Sequence, residues 1–350
     1  MNYYYGNQGG YNNNQPPYGY QPPNGYNHFD PNYTEKIKQK KDIARVSIAV
    51  GLAVIGFTVI SFVLASFLNM MPWFTNNYQK NDVFTVCFDA IYSMVIIGVP
   101  FLAAYVFLKK RGNIKQLPLG TVHNDTAFIL LIFAGLMACL VGSYATSMFA
   151  NLIEGFFGIT FTAPDDGIKL TSPAIVLAYI LRTAVIPSFI EEFSVRGVVM
   201  QPLRKYGDWF AIIMSSMVFA LMHGNMVQIP FAFIAGIAIG YAVIITGSMW
   251  TGVIIHFLNN FISIMMQTAF DNLPQGKANL ITLAISGVVV VIGIICAIIY
   301  KQKFSHGFKL QNQKNPLLTR GEKNTAFIVT VPMIIAIVSL LIETAQFIEF

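Results

Sequence analysis

Glu191, Glu192 and Arg196 stand close together in the stretch PSFIEEFSVRG, Pro187 to Gly197, within a mostly apolar run from Ser172 to Leu203. If that run crosses a membrane, each ionisable side chain at the bilayer centre costs roughly 2.5–3.5 kcal/mol on insertion scales. Such a group does not face lipid without a reason. Glu192 and Arg196 are four residues apart, so they share a helix face and can neutralise each other as a structural ion pair. Glu191 is turned about 100° from that face and has no partner in its own helix. An intramembrane carboxylate without a local counter-charge is a functional candidate.

Three more polar side chains belong with it. His223 closes FALMHG, four residues after Phe219, and His256 opens HFLNN, one helical turn before Asn260. At about 1.5 Å of rise per residue, Glu191 lies roughly 20 Å from the boundary marked by Arg204. By the same count His223 is roughly 22 Å from Asp208, while His256 and Asn260 are about 13 and 20 Å from Gly247. All four fall in the central part of a ~30 Å hydrocarbon core. Three helices therefore bring a carboxylate, two imidazoles and an amide to a similar depth. A carboxylate beside an imidazole in low dielectric suits a general base acting on a water held jointly with His223. A second imidazole with an amide N–H, His256 with Asn260, can stabilise the oxyanion formed when water attacks a peptide carbonyl. This is hydrolase chemistry without a serine or cysteine nucleophile. The same Glu191, His223 and His256 could instead hold a divalent metal such as zinc, although the spacing is not HExxH and no cysteine contributes. Asp89 in VCFDAIYS and Arg182 in YILRTAV are isolated in sequence and read as helix–helix contacts that can pair with each other.

The elements that must position these groups follow from composition. The 350 residues are 55% hydrophobic and 11% charged, against about 25% charged in a soluble domain. The fold class is all-α: a polytopic membrane helix bundle of about 8–9 transmembrane helices with a disordered N-terminal tail. Spans are expected near 46–70, 83–108, 127–150, 173–203, 209–224, 228–246, 249–269, 279–300 and 325–343, with a kink at Pro187. With a cytoplasmic N-terminus, seventeen Lys and Arg fall on inside segments and three, Lys80, Lys169 and Lys277, on outside ones. That is the positive-inside pattern, so the net charge of +6 reflects topology and attraction to membrane lipid, and no nucleic-acid partner is expected.

Four sections are expected. Residues 1–45 form a disordered cytoplasmic tail, rich in Tyr, Asn, Gln, Pro and Gly to residue 34, with a basic block from Lys36 to Arg45. Residues 46–170 hold N-terminal transmembrane helices, 171–270 the catalytic core, and 271–350 C-terminal helices with a basic loop. The outside loop 151–172 suggests no chemistry. Cys87, Cys139 and Cys296 read as small apolar side chains, and His28, His123 and His306 as surface histidines.

EEFSVRG fits the pattern EExxxR, FALMH fits FxxxH and HFLNN fits HxxxN, in that order along the chain. Together they resemble the CPBP family of intramembrane proteases, named for C-a-a-X prenyl proteases and bacteriocin-processing (Abi-like) enzymes. The resemblance covers about 173–269, and Ser194 stands where an apolar residue is common. It implies an intramembrane endopeptidase in which Glu191 activates water with His223, His256 and Asn260 stabilise the oxyanion, and Glu192 with Arg196 is architectural. Family members have been described both as metalloproteases and as glutamate-dependent proteases, which leaves the metal open. The expected partners are membrane lipid and a peptide or protein substrate, membrane-associated or lipidated. The expected location is the plasma membrane of a bacterium. The alternative is a non-catalytic peptide-binding or bacteriocin-immunity protein on the same fold. A transporter is disfavoured because the sequence shows no internal repeat.

Overall fold

A computed structural model describes residues 31–122, 124–304, 308–310 and 317–350. Most of the expected tail, together with His28, His123 and His306, lies outside the described residues. Among the described residues, eleven helices form the body: α1 Tyr33–Asn69, α2 Pro72–Lys80, α3 Asp82–Lys110, α4 Asp125–Phe157, α5 Pro173–Tyr206, α6 Asp208–Leu221, α7 Ile229–Thr246, α8 Met249–Asn272, α9 Gln275–Lys303, α10 Arg320–Ile328 and α11 Val331–Ala345. Seven of them are long and apolar enough to cross a membrane, and eight crossings result if the bent pair α10–α11 counts as one. The chain is a polytopic helical membrane bundle.

The basic block is not part of a disordered tail. It forms the first turns of α1, where Glu35–Lys38 and Asp42–Arg45 pair along the helix at 3.6 and 2.8 Å. A long apolar segment carries the helix, so extending it into a charged stretch needs no new nucleus. The last expected span also differs. It breaks by 75° between α10 and α11, where Pro332 enters the first turn of α11 and Ser47 of α1 bonds both the Phe327 carbonyl and the Thr330 hydroxyl. Gly51 makes this crossing possible, since a Cβ there would come within 2.6 Å of the backbone of Pro332 and Met333.

The two ends of the bundle are held differently. At the basic end Asp42 takes Lys205 at 3.0 Å, and the Met249 N–H donates to the Pro118 carbonyl. At the other end, a short antiparallel pair joins Thr160–Phe161 to Ile348–Glu349. There Asp271 and Asn272 bond the backbone of Leu170.

Helix α6 is the element that matters most for the site. With 14 residues it rises about 21 Å, so it stops within a ~30 Å core. This is the expected fifth span, and it falls short of one. The turn that follows it must satisfy its own polar groups at membrane depth. Asn225 does so: its side chain donates to the His223 carbonyl at 2.8 Å and accepts from the Gln228 N–H at 3.0 Å. Gly224 takes φ +65°, which a residue with a Cβ adopts reluctantly.

Candidate active site

Helix α5 runs unbroken through Pro187, with two π-helical stretches, Ile180–Val185 and Phe193–Met200. The first of these wider turns ends just before Pro187, the site of the expected kink, and such turns often mark functional helices. Proline has no N–H for the carbonyl one turn earlier, which here belongs to Thr183. That carbonyl instead accepts from Asn260 Nδ2 at 2.8 Å, and Asn259 Nδ2 donates to Asn260 Oδ1 at 3.0 Å. The amide of Asn260 is thereby oriented, with one of its two N–H groups left over.

The two glutamates diverge as their positions on the helix require. Glu192 and Arg196 are wholly buried, 3.2 Å apart, while the Glu191 side chain keeps 20% of its surface exposed. Only Glu191 can meet a substrate. Arg196 also donates to the Gly236 carbonyl at 3.3 Å and stacks 5.0 Å from the Phe219 ring centre. A Cβ on Gly252 would sit 2.5 Å from Glu192 Oε2, so the glycine on α8 leaves room for the carboxylate.

His256 on α8 links both acids. Its Nδ1 is 3.1 Å from Glu192 Oε1 and its Nε2 is 3.8 Å from Glu191 Oε2. A carboxylate only accepts, so Nδ1 carries a proton and donates to Glu192. With His256 protonated on both nitrogens, Glu191, Glu192, Arg196 and His256 sum to zero charge. His223 is fixed by the same logic. Its Nδ1 lies 2.8 Å from the Phe219 carbonyl, which can only accept, so Nε2 is the lone-pair nitrogen of the neutral ring. The Phe219 ring meets the edges of both imidazoles, at 4.9 Å for His223 and 5.9 Å for His256. The phenylalanine of the FxxxH stretch thus serves both histidines and the arginine.

Glu191, His223, His256 and Asn260 line one cavity of about 680 Å³. The structure therefore brings together the four groups expected from sequence: Glu191 from α5, His223 from the turn after α6, and His256 and Asn260 from α8. Among the described residues, no three His, Cys, Asp or Glu side chains are grouped to hold a metal ion.

Asp89 and Arg182 line the same cavity. Arg182 Nη2 lies 3.3 Å from Asp89, and Nη1 pairs with Asp166. Tyr78 donates to Asp89 and Tyr179 to Asp166. The loop read as free of chemistry thus supplies an acid that pairs with Arg182 of the cavity wall. Burial alone would raise the Asp166 pKa, but hydrogen bonds from Arg182, the Ile168 N–H and Tyr179 hold it below the usual carboxylate value. Asn259 and Thr183 are further site residues that no motif marks. Only the missing N–H of Pro187 could have pointed to Thr183.

The class is now defined: an integral membrane protein with a polar cavity between helices, walled by a glutamate, two histidines and an asparagine. Residues 173–262, from α5 into α8, match the family described as Type II CAAX prenyl endopeptidase Rce1-like. The match covers about a quarter of the chain and supports the CPBP/CAAX intramembrane protease family. That family suggests intramembrane CAAX-type protease activity. No curated protein and no solved structure matches the chain.

Proposed function

We propose that this protein is an intramembrane endopeptidase in which Glu191 is the general base. The carrying observation is that the partly exposed Glu191 shares its cavity with His223, His256 and Asn260. A water between Glu191 and His223 Nε2 meets two acceptors, each taking one hydrogen, which leaves an oxygen lone pair for the peptide carbonyl. As the oxygen attacks, Glu191 takes the proton. The resulting oxyanion accepts from His256 Nε2–H and from the remaining N–H of Asn260. Collapse breaks the C–N bond, and the proton on Glu191 passes to the leaving amine. Glu192 acts through His256 as a positioning residue.

The substrate is a peptide or protein that reaches the cavity from the membrane, carrying an apolar or lipidated segment. Bacteriocin processing is one such use. The protein sits in a plasma membrane with its basic end, and hence its N-terminus, on the cytoplasmic side, as the loop charges support.

The test is incubation of the purified full chain with lipidated and unlipidated peptides, products being identified by mass, with and without a chelator. Discrete cleavage supports the reading, and its persistence in chelator assigns the chemistry to the glutamate without a metal. Tight peptide binding by folded protein with no product would point to the non-catalytic binding or immunity role.

A further inference from the structure

At the basic end of the bundle, a second cavity of about 640 Å³ opens between α1 and the bent pair α10–α11. The proposed chemistry makes no use of it, and both of its walls lie outside the matched segment 173–262. Lys40, Lys41 and Glu322 line it, followed along the same helices by Ala44, Ala326 and Val329. Lys40 pairs with Glu322 at 2.8 Å, Lys41 is exposed, and Val329 leaves 60% of its surface open. A Cβ at Gly321 would meet nothing within 4 Å, so this wall is open. Residues 35–45 and 320–323, which frame the cavity, hold seven Lys or Arg against three Asp or Glu.

We propose that this cavity binds one anionic phospholipid, with its phosphate on Lys40 and Lys41 and its acyl chains along Ala44, Ala326 and Val329. The cavity joins a cationic end to an apolar wall at the boundary of the hydrocarbon, which is the pattern of a phospholipid. A free phosphate would leave the apolar wall bare. A zwitterionic lipid would bring its own cation to the surplus of lysines. The bound lipid would also brace the site helices, because Lys323 of α10 donates to the Tyr206 carbonyl at 2.8 Å and Phe327 packs edge-on against Phe210 of α6.

The test is native mass spectrometry of the full chain in detergent, offered phosphatidylglycerol and phosphatidylcholine together, with glycerol phosphate as competitor. Wild type should retain one phosphatidylglycerol in preference to phosphatidylcholine. Lys41→Gln should lower that retention roughly fivefold, and Lys40→Gln with Lys41→Gln further. Ala326→Trp, which fills the apolar wall without changing charge, should abolish retention. Lys109→Gln with Lys110→Gln, which removes equal charge away from the cavity, should leave it unchanged. Each variant's melting profile without added lipid shows whether it folds. The proposal is overturned if both lipids are retained equally, if the Lys109 and Lys110 changes cost as much, or if glycerol phosphate displaces the lipid.

Discussion

His256 donates from Nδ1 to the buried Glu192 at 3.1 Å, while its Nε2 approaches Glu191. The second glutamate therefore orients the ring that meets the reaction. Glu192→Gln keeps the shape but replaces the carboxylate that accepts from His256 Nδ1. We expect kcat to fall roughly 10²-fold, the loss of one oxyanion donor. KM should change little, and the pH–rate profile should move. An unchanged profile with a lowered melting temperature would mean that Glu192 serves stability alone.

Asn260 is tested by a change that preserves its size. Asn260→Asp cannot donate to the Thr183 carbonyl or to an oxyanion, and it places a second acceptor near Glu191. The expected loss is about 10²–10³ in kcat, with peptide binding retained when measured by fluorescence anisotropy.

Gly252→Ala would drive a methyl group into Glu192 Oε2 and, at 2.9 Å, into Val243. Overpacking of this kind costs about 1–3 kcal/mol, so thermal stability and cleavage should fall together. Gly287→Ala, with nothing within 4 Å of the added carbon, should be neutral and serves as the control.

The loop 158–172 carries a pH dependence of definite sign. The Asp166 carboxyl is held below its usual 3.8 in the folded state. Its contribution is present above that value and fades as the pH falls through the lower, folded one. Limited proteolysis should therefore nick this loop faster as the pH drops below about 4, and Asp166→Asn should nick fast at neutral pH as well.

The depth of Glu191, His223, His256 and Asn260 was legible because apolar runs and helical rise place a residue along the bundle axis. What could not be read was rotation and partnership between helices. Nothing in EEFSVRG says that Glu192 accepts from a histidine 64 positions later. Pro187 signalled a disturbance, yet the outcome was a wider helical turn and a carbonyl given to Asn260, since a neighbouring helix lay close enough to supply the donor. Asp89 and Arg182 were recognisable as a possible pair. Asp166 was not, because an aspartate in a polar loop has no sequence feature that ties it to a distant arginine. The bend between α10 and α11 rests on Ser47 of α1, another contact that local sequence does not encode.

The most direct test of Glu191 as the base measures binding and cleavage separately in Glu191→Gln, with a peptide that wild type cuts. The account predicts binding within a few-fold of wild type and a loss of cleavage of at least about 10²-fold. Glu191→Gln that cleaves at the wild-type rate would contradict it, and the base would have to be sought elsewhere in the cavity.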